Sequence, residues 1–412
     1  MDMNAEILAV GTELLLGDIV NTNAQFIAQG LAELGIDVYY QTVVGDNPER
    51  LKSAMHSAFD RADIIITTGG LGPTEDDLTK EIGAQYFGRK LVLDERALDR
   101  IKKFFDKMKR PMTDNNVKQA MVPENAVVMY NANGTAPGII IENEKQILIM
   151  MPGPPREMKP MFSEQVKPYL ASKQEYTLVS RVLRIAGVGE SAMEMQVKDL
   201  IASQTNPTVA PYAKDVEAVL RITARAENAD EAEKIIEPVA QEIYSRFGKS
   251  VYAEGETSMQ ETVAQMLVKR NKTIAVAESC TGGLVASRLI EYPGISSVLL
   301  EGAVTYSNEA KMRRLGVKRE TLEAYGAVSA ETAVEMAEGI AKSSGASIGL
   351  STTGVAGPGP SEGKPEGLVF IGVYIEGKTY VKELNLAGKR NVIRERAAYN
   401  ALDYLRRKLM LD

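Results

Sequence analysis

Two glycine-rich loops carry side chains that can bind anions or perform nucleophilic chemistry. The first, GGLGPTEDD at residues 69–77, follows the apolar run 63–68, which is predicted to be a buried strand. The second, AESCTGG at residues 277–283, follows a strand predicted over residues 273–277. Because ligands of α/β sheets bind at the carboxyl ends of strands, both loops are candidate sites.

The first loop combines a flexible backbone with negative charge. Glycines let backbone N–H groups approach phosphate oxygens without interference from Cβ, and a helix beginning at Asp76 or Asp77 would favour an anion at its N-terminus. Carboxylates repel phosphate, but Mg²⁺ is held by one or two carboxylates together with substrate phosphates. The loop therefore indicates a divalent cation and the phosphates that it bridges. A plain glycine turn followed by helix-capping acids is the alternative on spacing alone.

The second loop offers Ser279 and Cys280 as nucleophiles. Gly282 and Gly283 allow backbone N–H groups to converge on an oxyanion. A glycine turn that merely joins a strand to a helix is the structural alternative. Hydroxyls and glycines recur in STTGVAGPGP at residues 351–360, which also follows a predicted strand and could cradle a phosphate.

A nucleophilic serine needs a base. His56 is the only histidine and lies in a helix predicted over residues 49–61, so a Ser-His-Asp triad could use no other. Lys311, in GAVTYSNEAK at residues 302–311, can act instead, because Ser-Lys pairs are a known variant and burial lowers the pKa of lysine. A solvated surface lysine is the alternative. Arg390, at the start of the last predicted helix, suits a phosphate through paired N–H groups.

Composition excludes several classes of protein. The chain has 412 residues, 44% apolar and 25% charged, as in a globular protein of two or three domains. The single cysteine excludes an intrachain disulfide and fits a cytoplasmic location, and one histidine argues against structural zinc. A net charge of −7 argues against a nucleic-acid partner. We expect no membrane segment and no signal peptide.

Strands and helices alternate over about the first 170 residues and again from about residue 257, which predicts two α/β domains with largely parallel sheets. Between them, residues 173–250 read as a small β-α-β-β-α unit. The sequence GVGE at residues 187–190 resembles a GxxG loop, but the acidic setting favours a connector or dimerisation element over nucleic-acid binding.

Four N-terminal motifs together resemble the molybdopterin-binding fold, and specifically the N-terminal domain of the CinA family: GGLGPTEDD, GTELLLGDIVNTN (residues 11–23), NGTAPG (133–138) and MPGPPREM (151–158). The resemblance implies metal-dependent hydrolysis of ADP-ribose to AMP and ribose 5-phosphate. It implies substrate or phosphate contacts from Gly11, Glu13, Asn23, Gly70, Gly72 and Thr74. It implies a divalent metal (Mg, Mn or Co) at Asp18, Asp76 and Asp77.

The C-terminal motifs AESCTGG, TYSNEAK and TGVAGP together resemble the C-terminal domain of the same family, which deamidates nicotinamide mononucleotide (NMN) to nicotinate mononucleotide and ammonia. The resemblance implies that Ser279 is the nucleophile, that Tyr306 and Lys311 activate it, and that no cofactor is needed. Cys280 is then a packing residue. The implied substrate contacts are Thr281, Gly282, Gly283, Thr353, Gly354 and Arg390.

The resemblance covers the whole chain and sets the expected organisation. We expect a three-layer molybdopterin-binding-like α/β domain (residues 1–172), a small KH-like α+β connector (173–254) and an α/β amidohydrolase domain (255–412). The expected partners are small nucleotides and a second copy of the chain, as a homodimer. The alternative is a non-enzymatic protein that binds a nucleotide or pterin and associates with a recombinase.

Overall fold

The computed structural model describes residues 3–174, 176–213 and 216–411. The chain divides into two compact units, Met1–Val179 with Arg225–Glu233, and Ser180–Ala224 with Lys234–Asp412. Most of the predicted connector therefore groups with the C-terminal residues. Its boundaries at residues 172 and 254 stay a prediction. No helix within the described ranges is both long and apolar enough to cross a membrane.

The N-terminal unit contains a six-stranded sheet with the strand order β2-β1-β3-β8-β7-β6 and a separate β4-β5 pair. The strands are β1 (Asn4–Val10), β2 (Asp37–Val44), β3 (Ile64–Thr68), β4 (Leu91–Leu93), β5 (Met121–Pro123), β6 (Val127–Met129), β7 (Gly138–Glu142) and β8 (Ile147–Met151). Strands β2, β1, β3 and β8 are parallel, and β7 and β6 continue antiparallel. Strands β7 and β8 form an antiparallel hairpin.

Helices cover both faces of this sheet. They are α1 (Thr12–Leu16), α2 (Thr22–Glu33), α3 (Pro48–Phe59), α4 (Thr79–Tyr86), α5 (Glu95–Lys107), α6 (Val117–Ala120), α7 (Pro155–Met161) and α8 (Lys167–Ala171). Because side chains alternate along a strand, neighbouring residues pack on opposite faces of the sheet. Ile7 and Ile64 pack with α2 and α7 on one face, whereas Leu8 and Ile65 pack with α3 and α4 on the other. The predicted three-layer α/β fold is thus confirmed.

Helix α2 is capped by Asn21, whose side chain accepts a hydrogen bond from the N–H of Ala24. One helix start differs from the sequence prediction. Helix α4 begins at Thr79, after Leu78. Asp76 and Asp77 therefore lie in the loop between β3 and α4, and their carboxylates are free of a capping role.

The remaining strands form two sheets with the orders β10-β11-β9-β12 and β14-β13-β15-β16-β17. The strands are β9 (Thr177–Ile185), β10 (Thr208–Ala213), β11 (Ala218–Ala226), β12 (Val251–Glu254), β13 (Ile274–Glu278), β14 (Leu299–Val304), β15 (Ile348–Gly354), β16 (Leu368–Ile375) and β17 (Lys378–Asn385). The helices are α9 (Glu190–Ala202), α10 (Ala229–Phe247), α11 (Met259–Lys269), α12 (Leu284–Ile290), α13 (Asn308–Leu315), α14 (Arg319–Tyr325), α15 (Ala330–Ser344) and α16 (Arg390–Leu409). Strand β12 extends the predicted β-α-β-β-α unit.

Helix α16 joins the connector to the C-terminal sheet through buried charges. The guanidinium of Arg406 donates to Asp403 Oδ1 at 2.7 Å and to the carbonyl of Lys249 at 2.8 Å. Arg407 donates to the carbonyl of Ala186 at 3.2 Å, directly before GVGE. Because unpairing a buried charge is costly, these contacts hold the connector against α16.

Candidate functional sites

A cavity of about 370 Å³ lies where β1, β3 and β8 end, and residues from all four N-terminal motifs line it. Six of the predicted site residues lie in its wall: Gly11, Glu13, Gly70, Gly72, Asp76 and Asp77. Asn23, Thr74 and Asp18 do not line it. The cavity also contains residues that the motif analysis did not single out, namely Asp46, Gln119 and Glu157.

Donors from the segment before β5 bind the carbonyl groups of the glycine loop. Lys118 Nζ donates to the carbonyls of Thr74 (2.8 Å) and Asp77 (2.6 Å), and Gln119 Nε2 donates to that of Leu71 (3.4 Å). Lys118 and Gln119 therefore hold the backbone of the loop in one conformation.

The N–H groups of this loop are available for an anion. Within the described chain, those of Gly70, Leu71 and Gly72 have no hydrogen-bond acceptor. Gly70 has φ +68°, and a Cβ at this position would lie 2.1 Å from Thr79 Oγ1. Glycine is thus required by both the backbone conformation and the close packing. The three N–H groups are suited to phosphate oxygens.

Asp76 and Asp77 have different surroundings. Asp77 Oδ2 accepts hydrogen bonds from the Thr74 N–H at 3.0 Å and from the Thr74 hydroxyl, and so it closes the loop. Asp76 is exposed, whereas Asp77 is half-buried. Asp76 is therefore the freer of the two to bind a cation.

The donor set fits a divalent cation only in combination with a bound phosphate. Carboxylate oxygens are the ligands that Mg²⁺ prefers, but usually only one or two come from protein. Among the described residues, no group of three His, Cys, Asp or Glu side chains is placed to hold a metal ion. The predicted ligand Asp18 lies outside the cavity wall. A cation at Asp76 and Asp77 would thus complete its coordination with substrate oxygens and water.

Asn23 lies outside the cavity wall and stabilises the strand ends that form it. Its amide Nδ2 donates to Thr68 Oγ1 at 2.8 Å and to the carbonyl of Gly153 at 2.6 Å, and so joins the ends of β3 and β8. Asp46 is a cavity residue that the sequence reasoning missed, although it follows β2 at the same sheet edge. Its Oδ2 accepts from the N–H of Thr12 at 3.0 Å.

In the C-terminal sheet, Ser279 follows β13 and lies beside a buried lysine. Lys311, only 1% exposed, places Nζ 3.2 Å from Ser279 Oγ. The same Nζ lies 3.0 Å from the carbonyl oxygen of Thr305 and 3.1 Å from that of Tyr306. Helix α13 supplies this lysine, and its start is set by Ser307, whose side chain accepts from the N–H of Ala310.

Lys311 Nζ donates to Ser279 Oγ and to the two carbonyls, so these three oxygens accept the three N–H groups of a charged lysine. After loss of one proton, the carbonyls of Thr305 and Tyr306 can keep two N–H groups, and the lone pair can accept the hydroxyl proton of Ser279. Burial is the main cause of a lowered pKa at Lys311, and the charge of Glu362 opposes this shift. The serine thus has the base that a nucleophile requires.

The glycine N–H groups predicted to stabilise an oxyanion have other acceptors. The N–H of Gly282 donates to the carbonyl of Ser279 at 3.1 Å, and that of Gly283 donates to Glu278 Oε2 at 2.9 Å. Within the described residues, the N–H groups of Cys280 and Thr281 have no oxygen acceptor. These two groups, directly after the nucleophile, are the better candidates.

Two residues that the sequence reasoning missed hold the nucleophile loop. Glu278, buried directly before Ser279, accepts from the N–H groups of Gly283, Val285 and Ala286 and so caps α12. Arg394 Nη2 donates to the carbonyl of Thr281 at 3.0 Å. An acidic residue at the end of a strand, just before a glycine turn, is a pattern by which the sequence could have identified Glu278. Only the three-dimensional course of α16 identifies Arg394.

Of the other predicted C-terminal residues, Tyr306 and Arg390 are exposed, whereas Thr281 and Thr353 are buried. The hydroxyl of Tyr306, a residue 62% exposed, accepts from Arg390 Nη2 at 3.1 Å, so these two side chains lie together at the surface. Thr353 is buried, and its hydroxyl donates to the carbonyl of Ala327 at 2.6 Å. Thr281 shares a 2.6 Å hydrogen bond with Thr352, while a Cβ at Gly354 would lie 2.7 Å from a carbonyl oxygen.

Cys280 is buried in a small apolar cluster with Val369 and Ile393. Burial raises the pKa of its thiol to about 12. Because the thiolate is the reactive form of cysteine, this side chain is inert near neutral pH. Its environment agrees with a packing role.

Comparison with known proteins identifies all three segments. Residues 6–172 match the probable molybdopterin binding domain, residues 180–253 the KH domain of damage-inducible protein CinA, and residues 256–409 the CinA C-terminal domain. Among solved structures, a CinA superfamily protein from Klebsiella pneumoniae has 33% identity and a TM-score of 0.37, covering 37% of this chain and 97% of that chain.

Relatives match over the whole length. A Clostridium novyi (strain NT) protein, provisionally named as competence-damage inducible, is 59% identical over 409 residues, 99% of each chain. A CinA-like protein of Dictyoglomus thermophilum is 57% identical over 409 residues, 99% of this chain and 100% of its own. On this whole-length identity, the chain belongs to the CinA family of competence/damage-inducible proteins.

Proposed function

We propose that the C-terminal domain is a serine amidohydrolase that converts NMN to nicotinate mononucleotide and ammonia. The observation that carries this proposal is the contact between Lys311 Nζ and Ser279 Oγ at 3.2 Å in a buried environment. Lys311 accepts the hydroxyl proton as Ser279 attacks the carboxamide carbon, and returns that proton to the leaving nitrogen. Ammonia departs, and water then hydrolyses the acyl-enzyme with the same lysine as base.

Arg390 is the proposed ligand for the NMN phosphate. Its guanidinium donates to the carbonyl of Gly357 and to the hydroxyl of Tyr306, and its side chain remains exposed at the start of α16. The N-terminus of α12 cannot serve this purpose, because Glu278 already occupies its N–H groups. A planar guanidinium with further N–H groups is well suited to a phosphate.

For the N-terminal domain we propose metal-dependent hydrolysis of ADP-ribose to AMP and ribose 5-phosphate. The unpartnered N–H groups of Gly70, Leu71 and Gly72 support binding of a diphosphate. Asp76 and Asp77 would hold the divalent cation, which neutralises the diphosphate and lowers the pKa of a bound water when present. Both proposed substrates are breakdown products of NAD, so the two activities fit one salvage role.

Two assays on the purified full chain test these activities separately. Ammonia release from NMN is measured with EDTA present, and AMP release from ADP-ribose is measured with and without added Mg²⁺. We expect ammonia in EDTA, and AMP only with the metal. A folded protein that releases no ammonia would overturn the first proposal, and metal-independent or absent AMP release would overturn the second.

The deamidation rate should rise with pH. Because the neutral amine of Lys311 is the active form, kcat should increase until the pH reaches the pKa of this lysine, which lies below its ordinary 10.5, and then level off. Measuring kcat for NMN from about pH 6 to about pH 10 checks this expectation. A kcat that falls with increasing pH across this range would show that a protonated group is the active form.

A further inference from the structure

We propose that Glu157 is the general base of the N-terminal site, an inference that rests on the diphosphate hydrolysis proposed above. Glu157 lies in the first turn of α7 and lines the same cavity as Asp76 and Asp77. Helix α7 follows β8, and the two aspartates follow β3, which pairs with β8 in the sheet. A carboxylate that faces the metal and phosphate site without belonging to the metal loop can accept a proton from water there.

The carboxyl group is held in one place by its neighbours. Oε2 accepts a hydrogen bond from Asn131 Nδ2 at 2.8 Å, and the same amide donates to the carbonyl of Ala136 at 3.0 Å. A Cβ at Gly134 would lie 1.9 Å from Oε2, so only glycine allows the NGTAPG loop to approach this closely. Asn131 and the NGTAPG loop thus position one carboxyl group of the MPGPPREM motif, as a catalytic group requires.

Glu157 differs from the other carboxylates of the cavity by its burial. It is 9% exposed, whereas Glu13, Asp46 and Asp76 are exposed at the surface. Burial is the main cause of a raised pKa at Glu157, opposed by the Asn131 hydrogen bond and by Arg156. A buried carboxyl group held in place beside exposed ones is suited to proton transfer.

The charged groups around Glu157 are consistent with this division of roles. Arg156 Nε lies 3.8 Å from Oε1, on the same helix. The other carboxylates that line the cavity belong to Glu13, Asp46, Asp76 and Asp77. The exposed Asp76 then serves the cation, while the buried Glu157 exchanges protons.

The proposed step balances without another reactant. Glu157 accepts one proton from a water molecule as the water oxygen forms a bond to one phosphorus of the diphosphate. The bond between that phosphorus and the bridging oxygen breaks, and the leaving phosphate keeps the electron pair. Glu157 then releases its proton to solvent, and the products are AMP and ribose 5-phosphate.

The test uses the full chain with Glu157→Gln, which keeps the shape of the side chain and an oxygen acceptor for Asn131. We expect kcat for ADP-ribose with Mg²⁺ to fall by about 100-fold or more. Binding of the non-hydrolysable α,β-methylene analogue of ADP-ribose with Mg²⁺, measured by calorimetry, should stay within about threefold. The acidic limb of the pH profile of kcat should disappear. Glu164→Gln, an exposed glutamate just after α7, is the matched control.

Three outcomes would overturn the proposal. Turnover of Glu157→Gln within about fivefold of the wild type would show that another group takes the proton. Loss of analogue binding together with turnover would make Glu157 a binding residue. A lower melting temperature with lost activity in Glu157→Gln, and an unchanged acidic limb in the turnover that remains, would favour a structural role. Absence of hydrolysis in the wild type is distinguishable from all three, because it removes the proposed function itself.

Discussion

Ser279→Ala is expected to abolish ammonia release from NMN, with a loss in kcat of roughly 10⁴-fold or more. The hydroxyl oxygen is the only part of the side chain that can form the acyl-enzyme, and its neighbour Cys280 cannot replace it because the thiol has a pKa of about 12. The measurement is ammonia release with EDTA present, at saturating NMN.

Lys311→Met tests the same contact by removing the proposed base. Methionine fills the buried space but has no lone pair of comparable basicity, so we expect a loss of similar size, since residues that act as one unit are not additive. The double variant should therefore be no worse than either single variant. Ser296→Ala, an exposed serine outside the site, is the control. Ammonia release by Ser279→Ala at the wild-type rate would refute serine chemistry here.

Asp76→Asn should have the largest effect in the N-terminal domain. The exposed carboxylate of Asp76 is the freer of the two loop aspartates, and an amide is a far weaker ligand for a divalent cation. We expect Mn²⁺ affinity, measured by calorimetry with the methylene analogue present, to fall by roughly 100-fold, and ADP-ribose turnover with it.

The neighbouring Glu75 supplies a matched control for this variant. Glu75 is exposed in the same loop but does not line the cavity. Glu75→Gln should therefore bind Mn²⁺ and hydrolyse ADP-ribose as the wild type does. Equal losses in both variants would point to a general effect of loop charge. An unchanged Asp76→Asn would remove Asp76 from the metal site. Ammonia release from NMN should be unaffected in either variant.

Local sequence was sufficient to predict most of the fold. The strands β1, β3, β8 and β13 are buried along nearly their whole length because both faces are covered, and their apolar runs are visible without a structure. Glycine loops directly after β3 and β13 indicated where ligands would bind, since strand ends of parallel sheets carry such sites. Short elements such as β4, β6 and β12 lack this signal, because three or four residues show no periodicity.

The sequence by itself determined which residue types are present at the two sites, because motif and strand order are properties of the chain. Only the tertiary structure decided which of their atoms are free to react. In the structure, the N–H groups of Gly282 and Gly283 donate to other acceptors, and Lys311 Nζ lies within hydrogen-bond distance of Ser279 Oγ and two carbonyl oxygens. The tertiary structure also brought Glu157 into the cavity that Asp76 lines. Burial and hydrogen-bond partners are set by residues distant in sequence, and they decide protonation and reactivity.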